Sequence, residues 1–269
     1  MPTNTEVPTF YIRSPVENLA LPSSGQLVTT AIKELKLHFA REELKVPEPP
    51  QDLFETLRSF AERGIKGFDE VYYQPCLQLT ENHEFWKGRG VVKPQSFFWR
   101  QIEDRYFSPE AAILQEGWYI GDSRVKPMYN NGKQRYGKDD YLEPLMEYLR
   151  ASDRIRICPW TPHYSRAGVS PKEIEEVILP EFAKMSGAKG NVRNRRFMEF
   201  NVRGNIRHPE YGQTDTWEWF GDPVFGGAYR LRGGGSNIGG LGGVGNDAVD
   251  HYRGRTSFSP VVEFPSKPR

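Results

Sequence analysis

Apolar residues recur at helical spacing in two early stretches of the chain. Val28, Ile32, Leu35 and Phe39 form one stripe and predict a helix from about 26 to 45, capped by Ser23 or Ser24. Pro47-Glu-Pro-Pro50 ends it, because proline cannot continue a helix. Leu53, Leu57, Phe60 and Ala61 predict a second helix over 52–63, with Gly64 as the stop. Before both, Thr9-Phe-Tyr-Ile12 is a possible short strand in a Pro- and Ser-punctuated start. Residues 65–115 keep no period. They carry Tyr72, Tyr73, Phe85, Trp86, Phe97, Phe98, Trp99, Tyr106 and Phe107, which read as core or interface aromatics in irregular structure.

The pattern sharpens after Gly117. Trp118-Tyr-Ile-Gly121 reads as a strand, and Asn131-Gly132 is a turn dipeptide. Asp139 and Asp140 are placed to cap a helix carrying Tyr141, Leu142, Leu145, Met146 and Leu149 to about Ala151. Ser170-Pro-Lys-Glu173 combines Ser at the N-cap, Pro at the first helical position and Glu at the third, a strong helix start. That helix runs through Ile174, Val177, Ile178, Phe182 and Met185 to a stop before Gly187, with a kink expected at Pro180. Arg196-Phe-Met-Glu-Phe-Asn-Val202 alternates as a strand would. The expected division is 1–115, a helical and aromatic-rich region, and 116–269.

Composition narrows the functional classes. The 269 residues carry a net charge of +1, which gives no electrostatic case for nucleic acid or a membrane surface. No apolar run approaches a membrane span, and the N-terminus lacks the basic and apolar regions of a signal peptide, so no membrane insertion is expected. Cys76 and Cys158 are too few and too distant for a disulfide framework and read as two free, buried thiols. The 23 arginines outnumber the 13 lysines, which favours bidentate and stacked contacts.

No catalytic constellation emerges. His38, His83, His163, His208 and His251 show no metal-ligand spacing, and neither metal nor cofactor is expected. Glu218, between Trp217 and Trp219, is either a general acid or a hydrogen-bonded structural carboxylate, and the second reading is preferred. The run Arg193-Asn-Arg-Arg196 is either a grip for phosphate or carboxylate or a solvated loop, with the loop preferred.

The most unusual stretch is glycine-rich. Eight of the thirteen residues from Gly233 to Gly245 are glycine. Glycine loses more freedom on folding than any other residue, so something beside this segment must hold it, and the Trp217/Trp219 cluster is the expected support. A flexible linker has no use for the interspersed Leu241, Val244, Val249, Tyr252 and Phe258. Gly240-Leu-Gly-Gly-Val-Gly245 matches a dinucleotide fingerprint, but the helix and acid that the fingerprint needs do not follow it.

Trp217-Glu-Trp-Phe220, then Tyr229-Arg-Leu-Arg-Gly-Gly234, then Phe258-Ser-Pro-Val-Val262 resembles the C-type lectin fold in its formylglycine-generating-enzyme form. Within that superfamily the chain is most similar to the variable proteins of diversity-generating retroelements. It departs from their pattern at Ser257-Phe-Ser259, where Gly-Phe-Arg is usual. The match spans 117–269 and is specific over 199–262.

The resemblance implies an α+β chain with a C-type-lectin-like domain at the C-terminus. It also implies a non-catalytic protein that displays a hypervariable surface over 233–260. The exposed, ligand-binding positions would be Gly235, Asn237, Ile238, Gly242, Gly243, Gly245, Asn246, Asp247, Val249, Asp250, His251, Tyr252, Arg253 and Arg255, with Leu241, Val244 and Phe258 pointing inward. The implied partner is a protein or other macromolecule on a cell surface, met by a chain carried on a virion; without the resemblance, a cytoplasmic location is expected. An oxidoreductase of the formylglycine-generating type and a calcium-independent carbohydrate-binding module are the alternatives on the same fold.

A compositional count agrees with the resemblance. Lys, Glu, Gln, Met and Trp number 57 in the chain, and none lies within Gly233–Pro260, where composition alone would place about six or seven. These five are residues that the family's adenine-directed mutagenesis of Asn-type codons cannot produce.

Overall fold

Two four-stranded sheets, each backed by helices, organise the chain in a computed structural model that describes residues 21–39, 45–137 and 139–266. The elements in order are α1 (Ser24–Phe39), α2 (Gln51–Glu62), β1 (Phe68–Gln74), β2 (Leu77–Gln78), α3 (Ser96–Glu103), β3 (Ile113–Leu114), β4 (Gly117–Asp122) and α4 (Glu143–Ala151). There follow α5 (Pro171–Glu173), a π-helical turn (Ile174–Ile178), α6 (Leu179–Ser186), β5 (Asn191–Asn194), α7 (Phe197–Ile206), β6 (Trp217–Val224), β7 (Tyr229–Gly233), β8 (Val244–Ala248), β9 (Thr256–Phe258) and β10 (Pro260–Pro265). The architecture is α+β.

The first sheet has the order β1-β4-β10-β5, all antiparallel neighbours. Its core joins Leu27, Leu35, Leu53 and Phe60 of the first two helices to Leu145, Leu149, Ile178 and Phe182. The expected division at 115/116 falls inside this sheet, since β1 pairs along its length with β4. The second sheet has the order β8-β7-β6-β9, with β9 running parallel to β6. Phe98, Phe107, Phe197, Phe200 and Phe220 fill the core around it.

Several elements follow their local chemistry. The Ser170 hydroxyl accepts the Glu173 N–H at 3.2 Å while the Glu173 carboxylate accepts the Ser170 N–H at 2.8 Å, a complete capping box. The helix then widens into the π-helical turn before Pro180, which takes up the irregularity that a proline without an N–H imposes, and Gly187 ends it at φ 68°. Asn131 and Gly132 both adopt positive φ, as a tight turn requires, although no paired strands flank it. The strand-like Thr9–Ile12 and the stretch 40–44 lie outside the described residues.

Three expectations are corrected. Residues 65–115 contain β1, β2, α3 and β3 rather than irregular structure alone. Arg196–Val202 is not a strand: Phe197 to Gly204 are all buried within α7, so no polar face marks the helical period. The first turn of α7 is held by carboxylates, with Glu199 accepting the Arg196 N–H at 2.8 Å and Asp222 accepting that of Phe197 at 2.6 Å. Cys158 is buried as expected, but Cys76 is exposed.

Candidate ligand-binding face

The glycine-rich segment is an ordered part of the second sheet. Two short 3-10 turns, Ser236–Ile238 and Gly240–Gly242, lead into β8, which pairs with β7 from Gly233↔Val244 to Tyr229↔Ala248. Leu241 is the buried anchor. Its side chain lies over Gly204 and Gly212, where a Cβ would meet it, and its carbonyl accepts the Asn201 side-chain amide at 2.9 Å. From the first part of the chain, the Gln95 side chain donates to the Ile238 carbonyl at 2.8 Å and the Gln95 N–H to the Gly242 carbonyl at 3.0 Å. Buried Lys126 donates to the carbonyls of Gly234 at 2.8 Å and Thr216 at 3.2 Å.

The two tryptophans divide the work expected of them jointly. Trp217 lies against Gly235 and donates from its indole to Asn237 at 3.0 Å, with the Arg232 guanidinium 4.4 Å above its ring. Trp219 is fully buried in the core of the first sheet and donates to the Val169 carbonyl at 3.1 Å.

Of the expected outward positions, Asn237, Asp250, His251, Arg253 and Arg255 are exposed, and Ile238, Gly245, Asn246, Val249 and Tyr252 are half-buried. Gly235, Gly242, Gly243 and Asp247 are buried instead. A Cβ on Gly235 would come within 2.6 Å of the Trp217 ring, and one on Gly242 or Gly243 would overlap the carbonyl of Lys93 or Ile238. Asp247 is enclosed by His251 Nδ1 at 2.6 Å and by the guanidinium groups of Arg253 at 2.9 Å and Arg232 at 3.5 Å. Burial favours its neutral acid, but the hydrogen bond with His251 and the charges of Arg232 and Arg253 outweigh that and hold it below the usual carboxylate range. Leu241, Val244 and Phe258 are buried, as expected.

After β8 the backbone is fastened while the side chains of Asp250, His251, Arg253 and Arg255 are exposed. The Val249 N–H donates to the Ala228 carbonyl at 3.1 Å, and the Val249 carbonyl accepts from Lys172 at 3.0 Å. The carbonyls of Arg253 and Arg255 accept the N–H groups of Gly168 at 3.1 Å and Trp217 at 2.9 Å, and that of Gly254 accepts the Gln134 side chain at 2.6 Å. These bonds use main-chain atoms of the segment only, so they place no demand on its side chains.

Neighbouring residues that the sequence did not single out complete the face. Trp160, 55% exposed, stacks on Tyr252 with ring centroids 6.3 Å apart and covers Gly254. Arg156 lies 4.7 Å over the Tyr252 ring and Arg255 4.3 Å over that of Tyr129, with exposed Met128 beside Tyr129 in the chain. The signal available was the Pro159-Trp160 pair, whose tryptophan has no place in any regular pattern.

The other candidate chemistry is absorbed internally. Glu218 is buried in a bidentate pair with Arg195. The run Arg193–Arg196 is no solvated loop: Arg193 reaches Glu199 and Glu263, Arg195 reaches Glu218, and Arg196 reaches Asp222. A cleft between α1 and β1 holds Glu34, Glu70, Arg203, Arg207 and His208. Burial would raise the pKa of Glu70, but its hydrogen bond with His208 and the charge of Arg203 hold it at about 2, an ion-pair member rather than a proton donor. Among the described residues no group of three or more His, Cys, Asp or Glu could hold a metal ion, and no helix is long and apolar enough to cross a membrane. Comparison of the chain with protein-family models, with curated proteins and with solved structures finds no match.

Proposed function

We propose that the chain is a non-catalytic recognition protein whose C-terminal segment displays a variable binding surface on a C-type-lectin-like scaffold. The observation that carries this reading is the division within the segment from Val249 to Arg255. Its backbone is tied to Ala228, Lys172, Gly168, Gln134 and Trp217, while the side chains of Asp250, His251, Arg253 and Arg255 stand in solvent. Such a loop keeps its shape whatever side chains it carries, which is what a diversified surface needs. Trp, Tyr and Arg on and around it are the residue types that dominate recognition energetics. The ligand would be a protein or other macromolecule on a cell surface, with the chain carried on a virion.

A folding-selected library diversified at Asn237, Ile238, Gly245, Asn246, Val249, Asp250, His251, Tyr252, Arg253 and Arg255 tests the reading. Most substitutions there should be recovered in folded protein, whereas changes at Leu241 and Val244 should be lost. Equal intolerance at the two sets overturns it. A reverse-transcriptase gene and a near-duplicate template repeat beside the coding sequence are the genomic counterpart.

A further inference from the structure

The display reading leaves open what kind of surface this copy of the segment takes, and the charge on the face bears on that. Four arginines reach it: Arg156, Arg232, Arg253 and Arg255. Asp247 is committed to Arg232, Arg253 and His251, and the exposed Asp250 is the other carboxylate of this loop. Among the described residues no acid pairs with the guanidinium of Arg156 or Arg255. Each instead lies over a tyrosine, Tyr252 at 4.7 Å and Tyr129 at 4.3 Å. Stacking holds a guanidinium in place while leaving its N–H fork free, so little side-chain entropy remains to be lost when a carboxylate arrives. The exposed Trp160 ring also stacks on Tyr252 and lies against Gly254, the residue before Arg255.

We propose, resting on the display reading, that the partner of this face is an acidic protein segment. Its carboxylates would be taken by Arg156 and Arg255, and its apolar or aromatic side chain would lie on Trp160 and Tyr252. Arg156 and Trp160 come from outside the glycine-rich segment, so every diversified version of the loop would keep these two side chains beside it. Bidentate guanidinium–carboxylate pairs supply the geometry, and the ring pair supplies apolar area.

The test selects a random peptide library on the immobilised full-length protein and on an Arg156→Gln/Arg255→Gln variant. Both side chains are exposed, and a thermal melt confirms that the variant folds. Wild-type selection should enrich Asp and Glu beside an aromatic residue, and the recovered peptides should bind the variant about tenfold or more weakly, with affinity falling as salt is added. Neutral or basic peptides that depend on Tyr252 or Val249 would overturn the acidic partner and leave the display reading standing. Peptides indifferent to every substitution on the face, or no enrichment at all, would overturn both.

Discussion

The guanidinium of Arg195 grips both carboxylate oxygens of Glu218, Nε to Oε1 at 2.9 Å and Nη2 to Oε2 at 2.8 Å, with both side chains buried. The pair ties the residue that follows β5 to the start of β6. Burying two charges repays itself only while both are present. Glu218→Gln leaves Arg195 facing a neutral amide and should cost about 3–5 kcal/mol in urea unfolding. Adding Arg195→Met to it should restore much of that loss. A single-variant loss below about 1 kcal/mol would mean that solvent or another acid already compensates Arg195.

Lys126 predicts how stability responds to pH. Burial pushes its ammonium down to about 7, with Glu218 opposing that shift and Arg195 adding to it. In the unfolded chain a lysine titrates near 10.4. Between these two values the unfolded state binds the proton that the folded state has released, so this group makes stability rise with pH across that window. Below about pH 7 both states are protonated and the cost of burying the charge is felt in full. Lys126→Met has no such dependence. The unfolding free energy of wild type minus that of the variant should therefore increase by a few kcal/mol from about pH 7 to 10. A flat difference would show that Lys126 stays charged under the Gly234 carbonyl throughout.

Much of the fold was legible where the determinants are local. Ser170, Pro171 and Glu173 specify a helix start within four residues, and the structure builds it with all three. Phe197–Val202 could not be read this way, because α7 is buried on every side and the pattern that distinguishes a helix from a strand is erased. The strand Val244–Ala248 was hidden for a different reason. Gly245, Asn246 and Asp247 have low strand propensity, and their pairing is imposed by Tyr229–Gly233 across the sheet. At the candidate face, Leu241, Val244 and Phe258 announced themselves as anchors by their apolarity. Trp160, Tyr129 and Arg156 did not, since only the tertiary fold brings them beside Tyr252 and Arg255.

The unequal burial of the two tryptophans predicts unequal costs. Trp219 has no exposed surface, and Trp219→Ala should destabilise by about 3–5 kcal/mol. Trp217 is half-buried, packs on Gly235 and carries the hydrogen bond to Asn237, so Trp217→Ala should cost less overall. It should, however, raise amide exchange in residues 235–239 selectively. Hydrogen-exchange mass spectrometry on both variants separates the effects, and the reverse order of costs would contradict the packing described.

Two glycines of the same segment give the sharpest contrast. Gly245 has open space where a Cβ would stand and no positive φ, so Gly245→Ser should change the unfolding free energy by no more than about 0.5 kcal/mol. Gly243, two residues earlier, also has ordinary φ, but a Cβ there would drive into the Ile238 carbonyl. The obstacle is backbone, and that backbone is fixed by the Gln95 side chain donating to the same carbonyl at 2.8 Å. Neither side can yield without opening the turn over Leu241. Gly243→Ser should therefore cost about 1–3 kcal/mol, in the range of overpacking a tight contact. Because the two substitutions are chemically identical and only two residues apart, differences in the unfolded state largely cancel between them. Urea midpoints measured side by side report the native-state clash directly. Equal midpoints would mean that the 236–243 turns yield readily, and the proposed display surface would then lack the rigid base that the proposal requires.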